Sequence, residues 1–368
     1  MARRPQYIFL LAALLAAVPA CTGLGQASGN GPLAESVVHI SAVIDDASVA
    51  TKGTGAFVNG SNYGIFSCVH EESPSAFEPF KPTLFNVRAN KRQPSSGSNP
   101  NSYYYPDGWG YNYIHAGADL EPGTPETGTN AGSNCFTLTQ RQDDQHADLY
   151  AYAPWNQAAY LSGPTAIPFE TSARPDLMYA QENGIGNRDM DPAAGGLSAT
   201  FTFKHAMARL VFRFKLRHDY DSASKYLINT VDVARLDESV PLCISGTFNA
   251  VTGSFADKET ASTLRLTSAT YAEVVSKDTW ASMSVLLVPM DITADGQLSF
   301  SFVTSGGVLK PYVLKLAHVQ HGTSGVYGFQ GGYTYTFDFL LDNYLYLDGF
   351  SVNTTWEDDV PLGGGENI

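Results

Sequence analysis

The residue with the best-defined chemistry is Cys21, whose thiol could be alkylated by a diacylglycerol. It follows Val18, Pro19 and Ala20. Val18 and Ala20 suit the site at which the lipoprotein signal peptidase cuts before a lipid-bearing cysteine, whereas Pro19 departs from the usual small residue. The sequence therefore predicts lipid attachment at Cys21. The alternative is a plain signal peptide that is cleaved after Ala20 and leaves an unmodified thiol.

The segment before Cys21 has the features of a targeting signal. Arg3 and Arg4 give it a positive start, and Tyr7 to Val18 is almost continuously apolar. This stretch is shorter than the roughly 20 apolar residues of a transmembrane helix and matches the apolar part of a secretory signal. Residues 21–33 are glycine-rich and uncharged, as in a flexible tether. We therefore predict an exported chain with a signal peptide over residues 1–20 and a tether over 21–33.

Catalytic constellations are absent or incomplete. His70-Glu71-Glu72 lacks the second histidine of a zinc-protease helix, and Gly322 to Gly325 is not the Gly-x-Ser-x-Gly turn of a serine hydrolase. Asp189 and Asp191 lack the glutamate that would complete a calcium loop. The sequence therefore predicts no cofactor, no metal site and no enzymatic activity.

An aromatic stretch, residues 103–113, is the most unusual local feature. Its exposed rings could stack on sugar or peptide, and the candidate binding residues are Tyr103, Tyr105, Trp109 and Tyr111. The alternative is that the stretch packs onto the body of the protein, because aromatic side chains bury large areas and rarely stay in solvent. The sequence leaves both interpretations open and favours packing.

The charge balance of the chain is acidic. Without Arg3 and Arg4, its 22 Lys and Arg residues fall to 20 against 36 Asp and Glu residues, which is a net charge of −16. Such a surface argues against binding to nucleic acid. The three cysteines beyond Cys21 can form at most one disulfide, and we expect small buried hydrophobes at Cys68, Cys135 and Cys243.

Alternation of apolar and polar residues recurs along the chain and predicts an all-β fold. Half-buried strands of this kind are typical of two-sheet sandwiches. The pattern is clearest in five stretches: Val38–Ile44, Phe201–Lys204, Arg209–Leu216, Leu298–Phe302 and Tyr333–Phe339. We expect only short helical turns, at Ala223–Asn229 and Ala272–Trp280, and long loops over residues 92–134 and 180–197.

The length of the exported chain, about 350 residues, suits two domains. Residues 217–226 are polar and interrupt the alternation. We therefore predict an N-terminal β-sandwich over residues 34–220 and a C-terminal β-sandwich over 221–368, the latter with a terminal strand and tail.

Several segments together resemble the fimbrillins of the Bacteroidales. They occur in the order of that family and cover most of the chain: Asp148–Pro154, Asp176–Ala180, Phe201–Phe212, Gly332–Thr336 and Val352–Trp356. The resemblance implies a lipoprotein precursor of the outer membrane with two transthyretin-like β-sandwich domains. It also implies assembly into cell-surface type V pili as a stalk, anchor or tip subunit. In stalk subunits, a trypsin-like protease removes the first strand, and a strand of another subunit fills the vacated groove.

Two segments of this chain fit such a scheme. Lys52 is the first Lys or Arg after the signal peptide and follows the alternating stretch Val38–Ile44, so it is the candidate processing site. The alternative is an exposed lysine that is never cut. Near the C-terminus, alternating residues form a candidate donor strand: Phe350, Val352, Thr354 and Trp356. The alternative is an ordinary last strand of the second domain.

The leading hypothesis is therefore a fimbrial subunit that supports adhesion. Its expected partners are other subunits by donor-strand exchange, the outer membrane through the lipid on Cys21, and an adhesion ligand of host or bacterial origin. The second hypothesis is a lipid-anchored surface protein that binds glycans through Tyr103–Tyr113, and an enzyme is the third.

Overall fold

A computed structural model describes most of the chain beyond the targeting segment. The described residues are 35–46, 53–55, 61–70, 86–91, 109–112, 136–139, 146–173, 175–186, 197–218, 226–292, 296–304, 307–316, 319–321, 326–342 and 344–353. The predictions for Cys21 and Lys52 fall outside these residues, as do those for Tyr103, Tyr105, Thr354 and Trp356.

The described part of the chain is almost entirely β-strand, as the alternation predicts. Its helical elements are α1 (Ala159–Ser162) and a 3-10 turn (Thr171–Ala173). The strands are β1 (Glu35–Asp46), β2 (Gly53–Gly55), β3 (Asn62–His70), β4 (Val87–Lys91), β5 (Trp109–Asn112), β6 (Phe136–Thr139), β7 (His146–Ala153), β8 (Ile167–Glu170), β9 (Met178–Gly186), β10 (Leu197–His205), β11 (Ala208–Leu216), β12 (Tyr226–Arg235), β13 (Leu242–Phe248), β14 (Phe255–Ala261), β15 (Thr263–Val274), β16 (Ala281–Leu287), β17 (Met290–Ile292), β18 (Gln297–Thr304), β19 (Gly307–Val308), β20 (Tyr312–Lys315), β21 (Gln320–His321), β22 (Val326–Phe329), β23 (Thr334–Leu341) and β24 (Leu345–Asn353).

Nine strands of the first half of the chain form one sheet, whereas β8 pairs with β13 of the second half. The strand order of the nine-stranded sheet is β2-β1-β10-β9-β7-β3-β4-β5, and β6 pairs with β1 beside this path. The alternation predicted for β10 is confirmed, because Phe201 and Phe203 are buried and Thr202 and Lys204 are exposed. Tyr63 of β3 is also wholly buried, and its ring lies 5.2 Å from that of Phe203.

The second half forms a β-sandwich. One sheet has the order β16-β11-β23-β24, and the other has the order β15-β12-β18-β19, with β20 also on β18. Phenylalanine rings of the two sheets meet in the core: Phe212 lies 5.3 Å from Phe300, and Phe214 lies 5.0 Å from Phe302. Burial of these rings is the main source of stability, since each aromatic removes a large apolar area from water.

A third group of buried residues joins the two halves. It contains Phe66 and Tyr152 of the first sheet together with Phe248 and Val288 of the second half. Leu286, which pairs with Arg209 across β16 and β11, packs against this group. This explains why Arg209 is wholly buried although the alternation of β11 places it on the face that points away from the sandwich core.

The two predicted helical turns are wrong. Tyr226–Arg235 is strand β12, and the C-terminal end of β15 reaches Val274. In both segments the local composition is compatible with a helix, but pairing decides the outcome, since Ile228 and Ala272 are partners in an antiparallel ladder and both are buried. The predicted loops also contain strands, because β5 lies within residues 92–134 and β9 extends to Gly186.

The chain passes from the first sheet to the second half at Ala206 and Met207. Strand β10 ends just before them, and β11 pairs with β16 and β23. Residues 217–226, where the boundary was predicted, follow β11 and precede β12, so they join the two sheets of one sandwich. Ala206 and Met207 are apolar and buried, so they lack the polarity on which the predicted boundary rests. A division into two domains remains a prediction, which these sheets would place at residues 206–207.

Candidate functional site

The candidate site is the groove that strand β1 fills. Over seven residue pairs, β1 runs parallel to β10, from Val38 opposite Leu197 to Ile44 opposite Phe203. Its other edge pairs with β6 over residues 35–38 and with β2 over residues 44–46. Strand β1 is therefore an interior strand, although it is the first strand of the chain.

Strand β1 also attaches two short strands to the sheet. Within the part of the chain that the structure describes, β2 and β6 each pair with β1 alone. Removal of β1 would thus detach these two short strands and would leave the backbone N–H and C=O groups of β10 that face β1 without partners. Unpaired strand edges of this kind are strong templates for another strand.

The side chains next to the groove are apolar. Phe201 and Phe203 of β10 are wholly buried, while Ala42, Val43 and Ile44 of β1 are half-buried. Once β1 has left, only a strand with apolar side chains at alternate positions would restore both the backbone pairing and the cover over this region.

The predicted processing site borders this groove in the sequence. Lys52 itself lies outside the described residues, but the next residue, Gly53, begins β2 and pairs with Asp46 at the end of β1. Cleavage between Lys52 and Gly53 would therefore separate the whole of β1 from the rest of the chain and would retain β2.

The predicted donor segment overlaps the last strand, β24. This strand pairs antiparallel with β23 from Leu345 to Asn353 and forms the edge of its sheet. Phe350 is half-buried, with its ring 4.9 Å from Phe337, and Val352 is 40% exposed. Within the chain, residues 350–353 thus act as an ordinary edge strand, which is the alternative raised from the sequence.

The candidate aromatic surface is described only in part. Trp109 and Tyr111 lie on β5, the edge strand that pairs with β4, opposite Lys91 and Ala89 respectively. These backbone positions place them at the end of the nine-stranded sheet furthest in strand order from β1 and β2. The structure therefore does not bring Trp109 and Tyr111 next to the groove of β1.

Cys243, His205 and Asp176 are buried side chains that could carry chemistry, but each is held in a contact within the fold. The Cys243 thiol is buried and donates a hydrogen bond to the carbonyl of Ser245, and burial raises the pKa of this thiol, which makes it unreactive. His205 and Asp176 form a buried pair, with 3.0 Å between Nδ1 and Oδ1.

In the portion that the structure covers, no group of three His, Cys, Asp or Glu side chains is arranged to hold a metal ion. The same portion contains no helix of the length and hydropathy that a membrane span requires.

Sequence reasoning identified β1 but missed its partner. The alternation of Phe201 and Phe203 predicts a core strand, yet nothing local indicates that β10, almost 160 residues later, pairs with β1 in parallel. Tyr63, which lies beside both phenylalanines, was also missed because its segment, Asn62–His70, lacks clear alternation.

Solved structures share the fold of this chain. A candidate cell adhesion protein from Bacteroides ovatus matches with a TM-score of 0.51 and 15% identity, covering 88% of this chain and 99% of the other. A candidate cell adhesion protein from Bacteroides uniformis matches with a TM-score of 0.50 and 14% identity, covering 88% of this chain and 99% of the other. Among curated proteins, none is detectably similar in sequence.

The family comparison is more specific than these structural matches. The model of the fimbrillin-like family matches residues 124–357 of this chain. The matched region includes all five segments that the sequence alone associates with fimbrillins, from Asp148–Pro154 to Val352–Trp356. Because the match extends over more than half of the sequence, this chain belongs to the fimbrillin-like family.

Proposed function

We propose that the chain is a structural subunit of a cell-surface fimbria and that subunits join by strand exchange after the first strand is removed. Family membership supports a fimbrial, non-enzymatic role at the cell surface. The observation that carries the mechanism is the interior position of β1, the strand nearest the N-terminus in the described chain. Strand exchange needs a strand of this kind, because its loss opens a groove inside the sheet.

The first step is proteolysis after Lys52. Before the cut, β1 satisfies the edge of β10, so the precursor has no open groove. After the cut, β1 is no longer covalently attached and can dissociate. The groove then exposes the paired edge and the apolar surface around Phe201 and Phe203, and burial of that surface favours a replacement strand.

The second step is insertion of a strand from another subunit. The C-terminal segment is the proposed donor, with Phe350, Val352, Thr354 and Trp356 at alternate positions. Its alternation matches that of β1, in which Ala42 and Ile44 are half-buried opposite Phe201 and Phe203 of β10. The cost of donation is modest at Val352, which is 40% exposed in β24 and therefore contributes little to its own sandwich.

In this scheme the lipid on Cys21 delivers the precursor to the outer membrane. Cys21 lies before Lys52 in the chain, so the lipid leaves with β1 when the subunit is processed. A subunit that is not processed would keep the lipid and fix the fibre to the cell.

Limited digestion of the precursor with a trypsin-like protease tests the mechanism. The wild-type chain should give a product that starts at Gly53 by mass spectrometry and then a ladder of polymers on unheated denaturing gels. Lys52→Gln should keep its N-terminal segment and remain monomeric. Lys258→Gln, which replaces an exposed lysine of β14, is the matched control and should polymerise like the wild type.

A chain that ends at Asn353 tests the donor. It keeps β24 but lacks Thr354 and Trp356, so it should be cut normally and fail to extend a ladder. Polymers from this truncated chain would contradict the assignment of the donor. A wild-type chain that is cut at Gly53 and stays monomeric at high concentration would contradict strand exchange altogether.

A further inference from the structure

The outer face of the sheet β16-β11-β23-β24 carries a band of cations and aromatic rings. At one end of this sheet, Lys215 of β11 lies opposite Leu340 of β23, which lies opposite Tyr346 of β24. Directly paired residues of neighbouring strands point to the same side of a sheet. The other side at this end is the sandwich core, with Phe214 and Phe339 buried. Lys215, Leu340 and Tyr346 therefore form one row on the outer face.

Cations lie over each aromatic ring of this band. Trp280 has the Lys215 ammonium 4.3 Å and the Arg213 guanidinium 5.0 Å from its ring centre. The Arg217 guanidinium is 4.6 Å from the centre of the Tyr346 ring. We call the set Trp280, Lys215, Arg217, Tyr344, Tyr346 and Lys310 the cation–aromatic band.

Lys310 completes the band from the opposite sheet. It belongs to the connection between β19 and β20, and its ammonium lies 4.2 Å from the centre of the Tyr344 ring. The rings of Tyr344 and Tyr346 are neighbours, 6.5 Å apart and nearly perpendicular. The band thus crosses the sheet from the start of β16 to the edge strand β24 and holds its cations in fixed positions.

The tyrosines of the band are unusually exposed. Tyr344 is 50% and Tyr346 is 41% exposed, although burial of an aromatic ring is favourable. Exposed aromatic rings that are held rigidly in place give contact area to a ligand at little cost in conformational entropy.

The balance of charges in the band favours an anion. Arg213 donates two hydrogen bonds, of 2.7 and 2.6 Å, to the carboxylate of Asp338, which neutralises its charge. Lys215, Arg217 and Lys310 instead lie over aromatic rings. The adjoining stretches of chain also carry acidic residues, namely Asp219 and Asp221 after Arg217, Asp278 before Trp280, and Asp342 and Asp348 beside Tyr344 and Tyr346. Lys215, Arg217 and Lys310 thus place three positive charges beside the rings of the band, and these charges favour an anionic ligand at the rings themselves.

We infer that the cation–aromatic band binds an anionic glycan, with sugar rings against Tyr344 and Tyr346 and carboxylate or sulfate groups at Lys215, Arg217 and Lys310. The combination selects this class: a neutral sugar would leave the cations unused, and a small inorganic anion would leave the tyrosines unused. The inference rests on the proposed role as a fimbrial subunit, because it identifies a surface through which a subunit with β24 in place would meet its ligand.

Titration of the unprocessed chain with defined polymers tests the inference. This form precedes assembly, so failure to bind is distinct from failure to polymerise. The probes are hyaluronan oligosaccharides for carboxylates, heparin oligosaccharides for sulfates, dextran as a neutral polymer and poly-glutamate as an acidic peptide. At least one anionic glycan should bind, and its affinity should fall as NaCl rises from about 0.05 to about 0.5 M, because salt screens the ionic contacts.

Two band variants and two matched controls locate the site. Tyr344→Ser with Tyr346→Ser, and Lys215→Gln with Arg217→Gln, should each weaken binding at least about tenfold, the scale expected when several stacking or ionic contacts are lost. The controls are Tyr271→Ser, which removes a tyrosine that is 62% exposed on β15, and Arg265→Gln, which removes an exposed arginine of the same strand. Both should bind like the wild type, and circular dichroism checks that all four fold.

Several outcomes would overturn the inference. Equal binding by the band variants and the controls would place the glycan elsewhere. Equal affinity for dextran would remove the role of the cations, and tighter binding to poly-glutamate would make an acidic protein the better partner. Absence of binding to both anionic glycans at low salt would reject the site directly.

Discussion

Strands β1 and β24 are the first and last strands of the described chain, yet they occupy opposite kinds of position. Strand β1 lies inside the nine-stranded sheet, with β10 on one edge and β2 and β6 on the other. Strand β24 lies at the edge of its sheet and pairs only with β23 in the described residues. Five of its nine residues are exposed, including Tyr346, Leu347 and Val352.

The difference shows which terminal strand a fibre can use for which purpose. Loss of β1 frees the edge of β10 and removes the pairing partner of β2 and β6, whereas loss of an edge strand merely creates a new edge. An edge strand is therefore the less costly one to donate, and an interior strand is the more effective one to remove. In this chain the two positions agree with the roles proposed for the two ends.

The largest difference between the two terminal strands should appear when each is deleted and the hydrogen exchange of β10 is compared. A chain that starts at Gly53 loses β1 and the partner of β2 and β6, so the amides of β10 should exchange with solvent at least about 100-fold faster. A chain that ends at Asp342 loses only β24, and β10 should keep its protection. Hydrogen exchange measured by mass spectrometry distinguishes the two, and similar protection of β10 in both truncated chains would contradict the interior role of β1.

Single core substitutions should give a smaller difference in the same direction. Phe203→Ala, next to β1, removes a wholly buried ring and should destabilise the protein by about 3–5 kcal/mol. Phe350→Ala, on β24, removes a half-buried ring and should cost no more than about 2 kcal/mol. Urea denaturation gives both values. Equal costs would show that the edge strand is as deeply integrated as the groove.

Cys243 reports whether the damage caused by loss of β1 spreads to the second half of the chain. Its thiol is buried within the residues that join the two halves, and burial raises its pKa. At pH 8 the folded chain should react with a thiol reagent at least about tenfold more slowly than the chain in urea, because less thiolate is present and access is blocked. The chain that starts at Gly53 should retain this protection if the second sandwich folds without β1. Rapid labelling would show that the two halves depend on one another.

The surface pair Asp232–Arg265 provides a reference that neither terminal strand should affect. Arg265 donates hydrogen bonds of 2.7 and 2.8 Å to the Asp232 carboxylate, and this holds the pKa of Asp232 below its ordinary value. The stabilisation is therefore complete above the ordinary pKa of about 4 and is lost as the pH falls through the lower folded pKa. Because Arg265 is exposed, solvent screens the pair and the effect should be small.

Comparison of Asp232→Asn with the wild type between pH 7 and pH 3 measures this contribution. The difference in unfolding free energy should be constant at neutral pH and shrink towards zero in acid. The same profile is expected in the chain that ends at Asp342, and a changed profile there would mean that β24 influences the opposite sheet.

Much of the fold could be predicted from the local alternation of apolar and polar residues. The wrong assignments show that this pattern does not reveal which strands pair. The buried positions of β10 and β18 follow directly from alternation, with Phe201, Phe203, Phe300 and Phe302 all inside. Ala272 was assigned to a helical turn because its neighbours are compatible with one, but it is buried opposite Ile228 in a sheet. Local composition is a weak determinant where a long ladder of pairs is available.

The candidate site was predictable in its parts but not in its arrangement. The sequence indicates an alternating first strand, a lysine after it and an alternating last strand. It gives no sign that Val38 pairs with Leu197, that the chain changes sheets at the apolar residues Ala206 and Met207, or that Tyr344 and Tyr346 stay exposed beside Lys310 and Arg217.

The sequence by itself determined the all-β class, the acidic charge, the alternating strands and the resemblance to fimbrillins, because these depend on residue type and on spacing within one segment. Only the tertiary structure decided that β1 is an interior strand, that β24 is an edge strand and which side chains share the outer face of β11, β23 and β24. These features depend on which strand edges meet across long separations in the chain. Such pairings are selected by the packing of the whole core, and no local pattern specifies them.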